Sequence, residues 1–330
     1  MLEPPSLLDV LAARGRIRAH LAPSPLRAYP GLSHMVGADV WVKHENLLPT
    51  GVFKLRGGIN LFSRFDDETR RRGVVASSTG NHGQSVAYAA KLFGVHAAVC
   101  VPEGANPVKV EAMRDLGAEV VLVGHDFDEA RLHSERLAKE RGSRYIHAGD
   151  EPDLIAGVAT ATLEILEEQP GVEVILVPVG GGSGAAGACI AAKSVNASIQ
   201  VIGVQSAQSP AAHDAWQSGR LEGRTNTTVA EGLATGTPFA LPQRIMRELL
   251  DDFVLVDDDE LLRATRLMIE KTRTLVEPAG AAALAAALDA SLAPRLKGRR
   301  VALICTGANI SPAQLAVALA TAGPGWAPRD

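Results

Sequence analysis

Short runs of β-branched apolar residues alternate along the chain with longer Ala- and Leu-rich stretches. Strand side chains alternate between two faces, whereas apolar positions recur about every 3.6 residues in a helix, so the two patterns can be separated. The predicted strands cover residues 74–76, 97–101, 120–123, 145–147, 174–179, 201–204, 253–256 and 301–305. The predicted helices cover residues 84–93, 106–116, 127–141, 155–169, 184–194, 259–272, 280–288 and 312–322. This alternation predicts βαβ units and a doubly wound parallel sheet, an α/β fold.

Length and charge narrow the classes of protein. The chain has 330 residues, and at roughly 150 residues per domain this length predicts about two domains. Lysine and arginine together number 33, against 37 aspartates and glutamates, which gives a net charge of −4. Since a nucleic-acid-binding surface needs clustered basic charge, this balance argues against a nucleic-acid partner.

Cysteine usage and hydropathy predict a soluble, cytoplasmic protein. Cys100, Cys189 and Cys305 form neither a CxxC motif nor a paired framework, which is typical of reduced thiols in the cytosol. No apolar stretch reaches the roughly 18 residues that a membrane-spanning helix needs. The first residues lack the basic region of a signal peptide. We therefore expect no membrane partner.

The first segment with candidate chemistry surrounds Lys54, which lies among the apolar residues Val52, Phe53 and Leu55. Burial disfavours the charged ammonium and lowers the pKa of a lysine, which produces a usable nucleophile or Schiff-base amine. The segment by itself is more typical of a surface lysine at the start of a helix.

A polar loop then follows the strand 74–76 and leads into a helix. Its central residues are Ser78, Thr79, Gly80, Asn81 and His82. Backbone N–H groups ahead of a helix point at an anion, so a carboxylate or phosphate is the natural guest. Ser, Thr and Asn are also favoured as helix N-caps, but this unbroken polar run exceeds what a cap requires. His82 alone is more typical of a structural hydrogen-bonding residue.

A glycine-rich turn follows the strand 174–179. It contains Gly180, Gly181, Gly182, Ser183 and Gly184. Glycines let the backbone approach a phosphate closely and direct several N–H groups at it. The turn therefore predicts a phosphate site.

The same turn matches the dinucleotide pattern Gly-x-Gly-x-x-Gly at Gly182, Gly184 and Gly187. That pattern requires an acidic residue about twenty positions later, at the end of the next strand. The next strand here ends in Gln205 and Ser206. A dinucleotide is thus the weaker of the two alternatives.

A fourth turn follows the strand 301–305, which ends in Cys305. The thiol could face a ligand at the sheet edge. Taken alone, this position is more typical of a buried and inert cysteine.

Together these segments resemble the fold-type II pyridoxal-phosphate enzymes, and within them the serine/threonine dehydratase family. That family includes catabolic threonine dehydratases, hydroxyaspartate dehydratases and serine racemase. The resemblance keeps the family's order over nearly the whole chain. The motifs that carry it are Phe53-Lys54-Leu55-Arg56-Gly57, Ser78-Thr79-Gly80-Asn81-His82-Gly83-Gln84, the glycine turn, Glu277-Pro278-Ala279-Gly280 and Cys305-Thr306-Gly307.

The resemblance implies a role for each of these segments. Lys54 would hold pyridoxal 5′-phosphate covalently and then take the α-proton of the substrate. Phe53 would pack near the cofactor, and Asn81 would donate to its 3′-oxygen. Cys305 would face the pyridine nitrogen. The loop Ser78, Thr79, Gly80, Asn81, His82 would hold the substrate carboxylate, and the turn Gly180, Gly181, Gly182, Ser183, Gly184 would hold the cofactor phosphate.

The implied reaction is β-elimination from a 3-hydroxy amino acid such as L-threonine or L-serine, which yields a 2-oxo acid and ammonia. A thiol or hydroxyl is too weak an acid to keep the pyridine nitrogen of the cofactor protonated. The cofactor therefore withdraws electrons less strongly, which suits elimination. A racemase or a β-replacement enzyme of the same fold remains an alternative. A nicotinamide-dependent dehydrogenase is a more distant one.

Two departures from the family pattern narrow the expectation. Serine racemase has its second acid/base serine at the position of Thr79, so racemisation here is doubtful although a hydroxyl is retained. The family's divalent-cation site uses an acidic pair where this chain has Gln205 and Ala211. Without carboxylates little remains to hold a hard cation, so we expect no metal. Glu231 replaces a more usual aspartate, with no consequence that the sequence reveals.

The resemblance also implies the domain organisation. Residues 70–148 would form a small domain inserted in a large cofactor-binding domain made of residues 1–69 and 149–330, each an α/β domain with its own doubly wound parallel sheet. The cofactor and a small amino-acid substrate would bind between the two domains. The resemblance further implies a homodimer.

Overall fold

The computed structural model describes residues 2–125 and 127–321. The strands are β1 Leu26–Ala28, β2 Asp39–His44, β3 Val74–Ser77, β4 Ala97–Val101, β5 Glu119–Leu122, β6 Arg144–Ile146, β7 Val174–Pro178, β8 Gln200–Ser206, β9 Asp252–Val256 and β10 Arg300–Cys305. The helices up to β7 are α1 Leu7–Arg18, α2 Pro30–Val36, α3 Lys54–Ser63, α4 Asp67–Arg72, α5 Asn81–Phe93, α6 Pro107–Asp115, α7 Phe127–Arg141 and α8 Pro152–Glu168. The later helices are α9 Ser183–Val195, α10 Ala211–Ser218, α11 Ala240–Leu249, α12 Asp258–Thr272, α13 Pro278–Leu288, α14 Ala293–Leu296 and α15 Pro312–Ala320.

The strands form two sheets. The larger has the order β1-β2-β10-β7-β8-β9, and the smaller has the order β5-β4-β3-β6. All pairs are parallel except β1 with β2, which places one antiparallel strand at the edge of the larger sheet. The predicted α/β architecture with two parallel sheets is thereby confirmed. The division into domains at residues 70 and 148 stays a prediction.

Helices cover both faces of each sheet, as a doubly wound fold requires. On the larger sheet, α12 and α13 pack on one face and α8 and α9 on the other. On the smaller sheet, α5 and α6 pack on one face and α7 on the other. None of the helices within the described ranges combines the length and apolar character needed to cross a membrane.

Each predicted strand is present with its ends within two residues of the prediction. The prediction missed β1 and β2. In β2 the polar residues Asp39, Lys43 and His44 interrupt the apolar pattern, although Lys43 and His44 are fully buried. The helix predicted to end at residue 322 ends at Ala320, and residue 322 lies outside the described part of the chain.

One polar residue of β2, Lys43, belongs to a buried cluster of four charges. The Arg56 guanidinium donates to Glu45 Oε2 at 2.6 Å and to Glu164 Oε1 at 2.7 Å. Lys43 Nζ donates to Glu164 Oε2 at 2.6 Å. Burial opposes ionisation, but Arg56 and Lys43 hold the pKa of Glu164 below its usual range. Two positive and two negative groups thus neutralise each other in the interior.

Removing one carboxylate from this cluster leaves an unbalanced buried charge. We predict that Glu164→Gln lowers the free energy of unfolding in urea by about 3–5 kcal/mol. Glu167→Gln is the matched control on the same helix, because the Glu167 side chain is 39% exposed and pairs with Arg14 and Arg18 at the surface. It should cost at most about 1 kcal/mol. Equal losses in the two variants would contradict the prediction.

Candidate active site

A cavity of about 1180 Å³ lies between the two sheets. Its walls include the turns that follow β3, β7 and β10, together with the start of α3. The carboxyl ends of parallel strands are where α/β sheets bind ligands. Binding sites for one small molecule commonly measure roughly 300–1,000 Å³, so this cavity has room for a cofactor-sized ligand and a small second molecule.

Lys54 is the first residue of α3, and its side chain is half-buried in the cavity wall. Its Nζ lies 3.2 Å from Ser183 Oγ and 3.3 Å from the carbonyl oxygen of Ala148, both uncharged acceptors. Desolvation by burial lowers the pKa of Lys54 to about 8. Part of the amine population is therefore neutral and nucleophilic near physiological pH.

The polar loop lies at the cavity, as predicted, but its side chains do different things. Ser78 Oγ accepts hydrogen bonds from the backbone N–H groups of Gly80 at 3.1 Å and Gly83 at 2.8 Å. The Ser78 hydroxyl thus holds the loop in shape. Thr79 is exposed and lines the cavity. The backbone N–H groups of Thr79, Asn81 and His82 and the Thr79 side chain remain for a ligand.

His82 follows in the first turn of α5 and is nearly fully buried. Burial, together with the nearby positive charge of Lys54, lowers the pKa of His82 to about 3, so the ring is neutral. Its Nε2 has no hydrogen-bond partner within the described residues. A buried polar atom left unpaired in a cavity wall indicates a partner that arrives with a ligand or water.

The glycine turn leads into α9 with its backbone close to neighbouring side chains. A Cβ on Gly181 would collide with the Phe239 ring. Gly182 has φ +91°, a conformation that L side chains rarely adopt, and it directly precedes Ser183, the first residue of α9. Because a helix N-terminus presents unpaired N–H groups, this turn can hold an anion such as a phosphate.

The structure corrects the expectation for Cys305. Its thiol is 1% exposed and packs in the apolar core of the larger sheet. Successive side chains along a strand point to opposite faces, and it is Thr306, one residue further, that lines the cavity. Burial raises the pKa of the Cys305 thiol. The thiol therefore belongs to the core, and Thr306 is the residue of this turn that lines the cavity.

A polar network at the cavity wall was not predicted from the sequence. Glu277 is 3% exposed, and its Oε1 accepts from Asn81 Nδ2 at 2.7 Å. Asn81 Oδ1 in turn accepts from Asn309 Nδ2 at 2.8 Å. Lys109 Nζ pairs with Glu231 Oε2 at 2.6 Å and lies 3.9 Å from Glu277 Oε2. A glutamate in the otherwise apolar segment before α13 was the one available signal.

Gln205 and Ala211, which stand at the positions of the family's cation site, do not line the cavity. Gln205, at the end of β8, is fully buried, and its Oε1 accepts from the backbone N–H of His213 at 3.0 Å. Across residues 2–125 and 127–321, no group of three or more His, Cys, Asp or Glu residues is arranged to hold a metal ion. The expected absence of a metal stays a prediction.

The arrangement as a whole suits a ligand with an anionic group and a carbonyl group. The neutral fraction of Lys54 can add to the carbonyl carbon. The glycine turn can hold the anion beside Lys54, since Ser183 Oγ contacts the amine. Asn81 and Thr306 supply uncharged hydrogen-bonding groups along the same wall.

Comparison with known proteins gives concordant results. A family model described as pyridoxal-phosphate dependent enzyme matches residues 17–307. The L-threonine ammonia-lyase of Thermotoga maritima is 37% identical over 306 residues, 92% of this chain and 76% of that protein. The catabolic L-threonine dehydratase of Escherichia coli is 36% identical over 308 residues, 93% of this chain and 94% of that protein. The structure of maize serine racemase matches with a TM-score of 0.91 and 29% identity, covering 96% of this chain and 97% of that one.

The lowered pKa of Lys54 can be tested by competitive labelling. We predict that, in the cofactor-free protein, acetylation of Lys54 by trace acetic anhydride rises with pH through a midpoint of about 8, because only the neutral amine reacts. Mass spectrometry of the Lys54 peptide gives the profile, and the exposed Lys297 in the same digest controls for reagent loss. A midpoint near the ordinary lysine value of about 10.4 would contradict the desolvation argument.

Proposed function

This chain belongs to the pyridoxal-phosphate dependent enzymes, and on that premise we propose that it eliminates water from L-threonine or L-serine. Hydrolysis of the resulting enamine returns the water and releases ammonia and a 2-oxo acid. The observation that carries the proposal is Lys54, a desolvated amine beside an anion-binding glycine turn. The relatives from Thermotoga maritima and Escherichia coli support the substrate class, since both are named for L-threonine elimination. The matching family model describes pyridoxal-phosphate dependent enzymes, so it gives no support to a dinucleotide as the cofactor.

The residues of the cavity fit pyridoxal 5′-phosphate. Its phosphate would lie on the turn Gly180–Gly184, where a Cβ on Gly181 would meet Phe239 and bare backbone is required. Phe53 packs against Gly184, since a Cβ there would lie 3.0 Å from the Phe53 ring. Asn81 would donate to the 3′-oxygen. When bound, the cofactor supplies an electron sink for the negative charge that develops at the substrate α-carbon.

Lys54 would act twice. Its Nζ would hold the cofactor, and its free amine would take the proton from the substrate α-carbon. A pKa of about 8 suits both tasks, because a base works best when its pKa lies near the operating pH.

The polar loop would hold the substrate carboxylate. The N–H groups of Thr79, Asn81 and His82 lie at the N-terminus of α5, where a negative charge is favoured. The Thr79 hydroxyl adds a further donor at the cavity surface. The Ser78 hydroxyl contributes by fixing the loop, since it already accepts from Gly80 and Gly83.

Thr306 would face the pyridine nitrogen. Thr306 is 4% exposed, and its hydroxyl lies 3.3 Å from the carbonyl oxygen of Ala279. An uncharged hydroxyl does not hold a proton on the ring nitrogen as a carboxylate does, which keeps the electron sink mild. A mild sink favours departure of the 3-hydroxyl over long-lived charge at the α-carbon.

We predict that the purified enzyme releases 2-oxobutanoate and ammonia in equal amounts from L-threonine. Lys54→Arg keeps the positive charge but has no basic amine, so kcat should fall about 10²- to 10⁴-fold. Coupled assays for the 2-oxo acid and for ammonia measure both products. An enzyme loaded with cofactor that releases neither product from L-threonine or L-serine would overturn the proposed function.

The corrected placement of the ring-nitrogen partner is tested by a matched pair of variants. Thr306→Val keeps the side-chain shape but removes the hydroxyl, and kcat should fall about tenfold with a change in the visible spectrum of the loaded enzyme. Cys305→Ala removes a core thiol, so it should cost about 1 kcal/mol of stability and leave kcat within about twofold. The reverse order of effects would restore Cys305 to the site.

Racemisation is the second candidate activity, and the similarity to maize serine racemase favours it. The Thr79 hydroxyl, exposed on the cavity wall, would carry the proton on the second face. Chiral chromatography of L-serine incubations distinguishes the two activities. D-Serine formed faster than pyruvate, and lost in Thr79→Val, would make racemisation the main function.

We propose that the reaction needs no divalent cation, since Gln205 and Ala211 offer no carboxylate at the family's cation position. Dialysis against EDTA should leave kcat unchanged. A stoichiometric Mg²⁺ or Ca²⁺ in elemental analysis of active enzyme would contradict this.

The proposal includes the assembly and the compartment. Two domains divided at residues 70 and 148 are supported by the two separate sheets, with strands β3 to β6 all within that span. Three unpaired, buried cysteines favour a reducing compartment such as the cytoplasm. A homodimer completes the proposal, and light scattering of the purified enzyme tests it.

A further inference from the structure

We propose that Asn309 and Glu277 are positioning residues that fix which end of the Asn81 side-chain amide faces the cavity. They would turn its N–H group, and not its carbonyl oxygen, toward the ring oxygen of the cofactor. The inference rests on the proposed placement of that ring oxygen beside Asn81. It assigns a role to Asn309, which does not itself line the cavity wall.

The donor and acceptor roles in this hydrogen-bond network are fixed first by a backbone carbonyl oxygen. Asn309 Nδ2 lies 3.1 Å from the carbonyl oxygen of Thr50, which can only accept a hydrogen bond. The group of Asn309 at this place must therefore be its NH₂. The same nitrogen lies 2.8 Å from Asn81 Oδ1, so both of its hydrogens are donated and Asn81 accepts through oxygen.

The other end of the network gives the same orientation independently. Asn81 Nδ2 lies 2.7 Å from Glu277 Oε1. An ionised carboxylate only accepts, and a carboxyl protonated on its other oxygen still accepts at Oε1. Lys109 lies 3.9 Å from that other oxygen, Oε2. One hydrogen of the Asn81 NH₂ is thus used, and the second stays available at a residue that lines the cavity.

Backbone contacts keep the partners of Asn81 in place. The N–H of Glu277 donates to the carbonyl oxygen of Gly307 at 3.0 Å, and the N–H of Ala308 donates to that of Gly51 at 2.8 Å. A Cβ on Gly307 would collide with Glu277 Oε1, and a Cβ on Gly51 would lie 3.1 Å from Asn309 Oδ1. The carboxylate and the Asn309 amide are therefore tightly enclosed.

The orientation matters because shape alone cannot select it. The NH₂ and the oxygen of an amide have nearly the same size, and only hydrogen-bond partners distinguish them. A reversed Asn81 would set its carbonyl oxygen against the electron-rich ring oxygen and leave two acceptors facing each other. The two positioning residues prevent this reversal.

The test is a double-mutant cycle on the cofactor-loaded enzyme at one fixed pH. Asn309→Asp keeps the shape but replaces both donated N–H groups with acceptors, and Asn309→Leu removes them without adding charge. Each is measured alone and with Asn81→Ala. The readouts are the ratio of visible to near-ultraviolet absorbance of the resting enzyme and the Kd for pyridoxal 5′-phosphate, with thermal unfolding as the check on folding.

We expect Asn81→Ala, Asn309→Asp and Asn309→Leu each to lower the visible share and to weaken cofactor binding by about tenfold. Added to Asn81→Ala, the Asn309 substitutions should change neither readout, because they act through Asn81. At the other end, Glu277→Gln can still accept and should have a smaller effect than Glu277→Met.

Two different failures are distinguishable. If Asn81→Ala leaves the spectrum and the Kd unchanged, the proposed placement of the cofactor is wrong. If Asn81→Ala changes them and folded Asn309 variants do not, or if those variants act equally in the Asn81→Ala background, the positioning role is overturned while the proposed function stands.

Discussion

The buried ion cluster around Arg56 is the interaction on which the site depends. The Arg56 guanidinium of α3 binds Glu45, in the short 3-10 helix Glu45–Leu47, and Glu164 of α8. Lys43 of β2 joins the cluster through Glu164. A cluster that is neutral overall and fully hydrogen-bonded tolerates burial, whereas a broken one does not. Lys54 lies only two residues before Arg56, so the cluster holds the start of α3 and with it the reactive amine.

The cleft between the sheets supplies the remaining chemistry. Desolvation lowers the pKa of Lys54 and keeps His82 neutral, so the same burial that makes the amine a nucleophile also limits positive charge at the cavity wall. The glycine turn presents backbone where side chains would collide with Phe239. Hydrogen bonds made to a ligand in a partly buried cavity are stronger than in bulk water. A few uncharged donors are therefore enough to orient a cofactor and a small amino acid.

Local sequence patterns were sufficient to predict most of the fold and part of the site. Eight strands were predicted because each is a short apolar run between helices, while β2 was missed because Lys43 and His44 become buried only through partners distant in sequence. Lys54, the polar loop and the glycine turn lie together at the cavity because each follows or borders a strand end. Whether Cys305 or Thr306 faces the cavity depends on the strand's register, which its residue types do not reveal.

The hydrogen-bond network through Asn81 could not be predicted from local sequence patterns, for a different reason. Its bonds join residues 196 and 228 positions apart, so the pairing exists only in the folded chain. The sequence marked Glu277 as part of a motif but indicated neither its partner nor its protonation. Likewise, no role for Glu231 followed from the sequence, and the structure shows its ion pair with Lys109. Long-range polar contacts of this kind follow from the packing of two sheets against one cavity.

The central claim is that Lys54 is the amine that holds the cofactor, and reduction of the loaded enzyme with borohydride tests it most directly. The account predicts that the visible band disappears and that peptide mass spectrometry finds one reduced cofactor per chain, on the peptide that contains Lys54. A reduced enzyme that carries no cofactor, or carries it on another residue such as Lys109, would contradict the account.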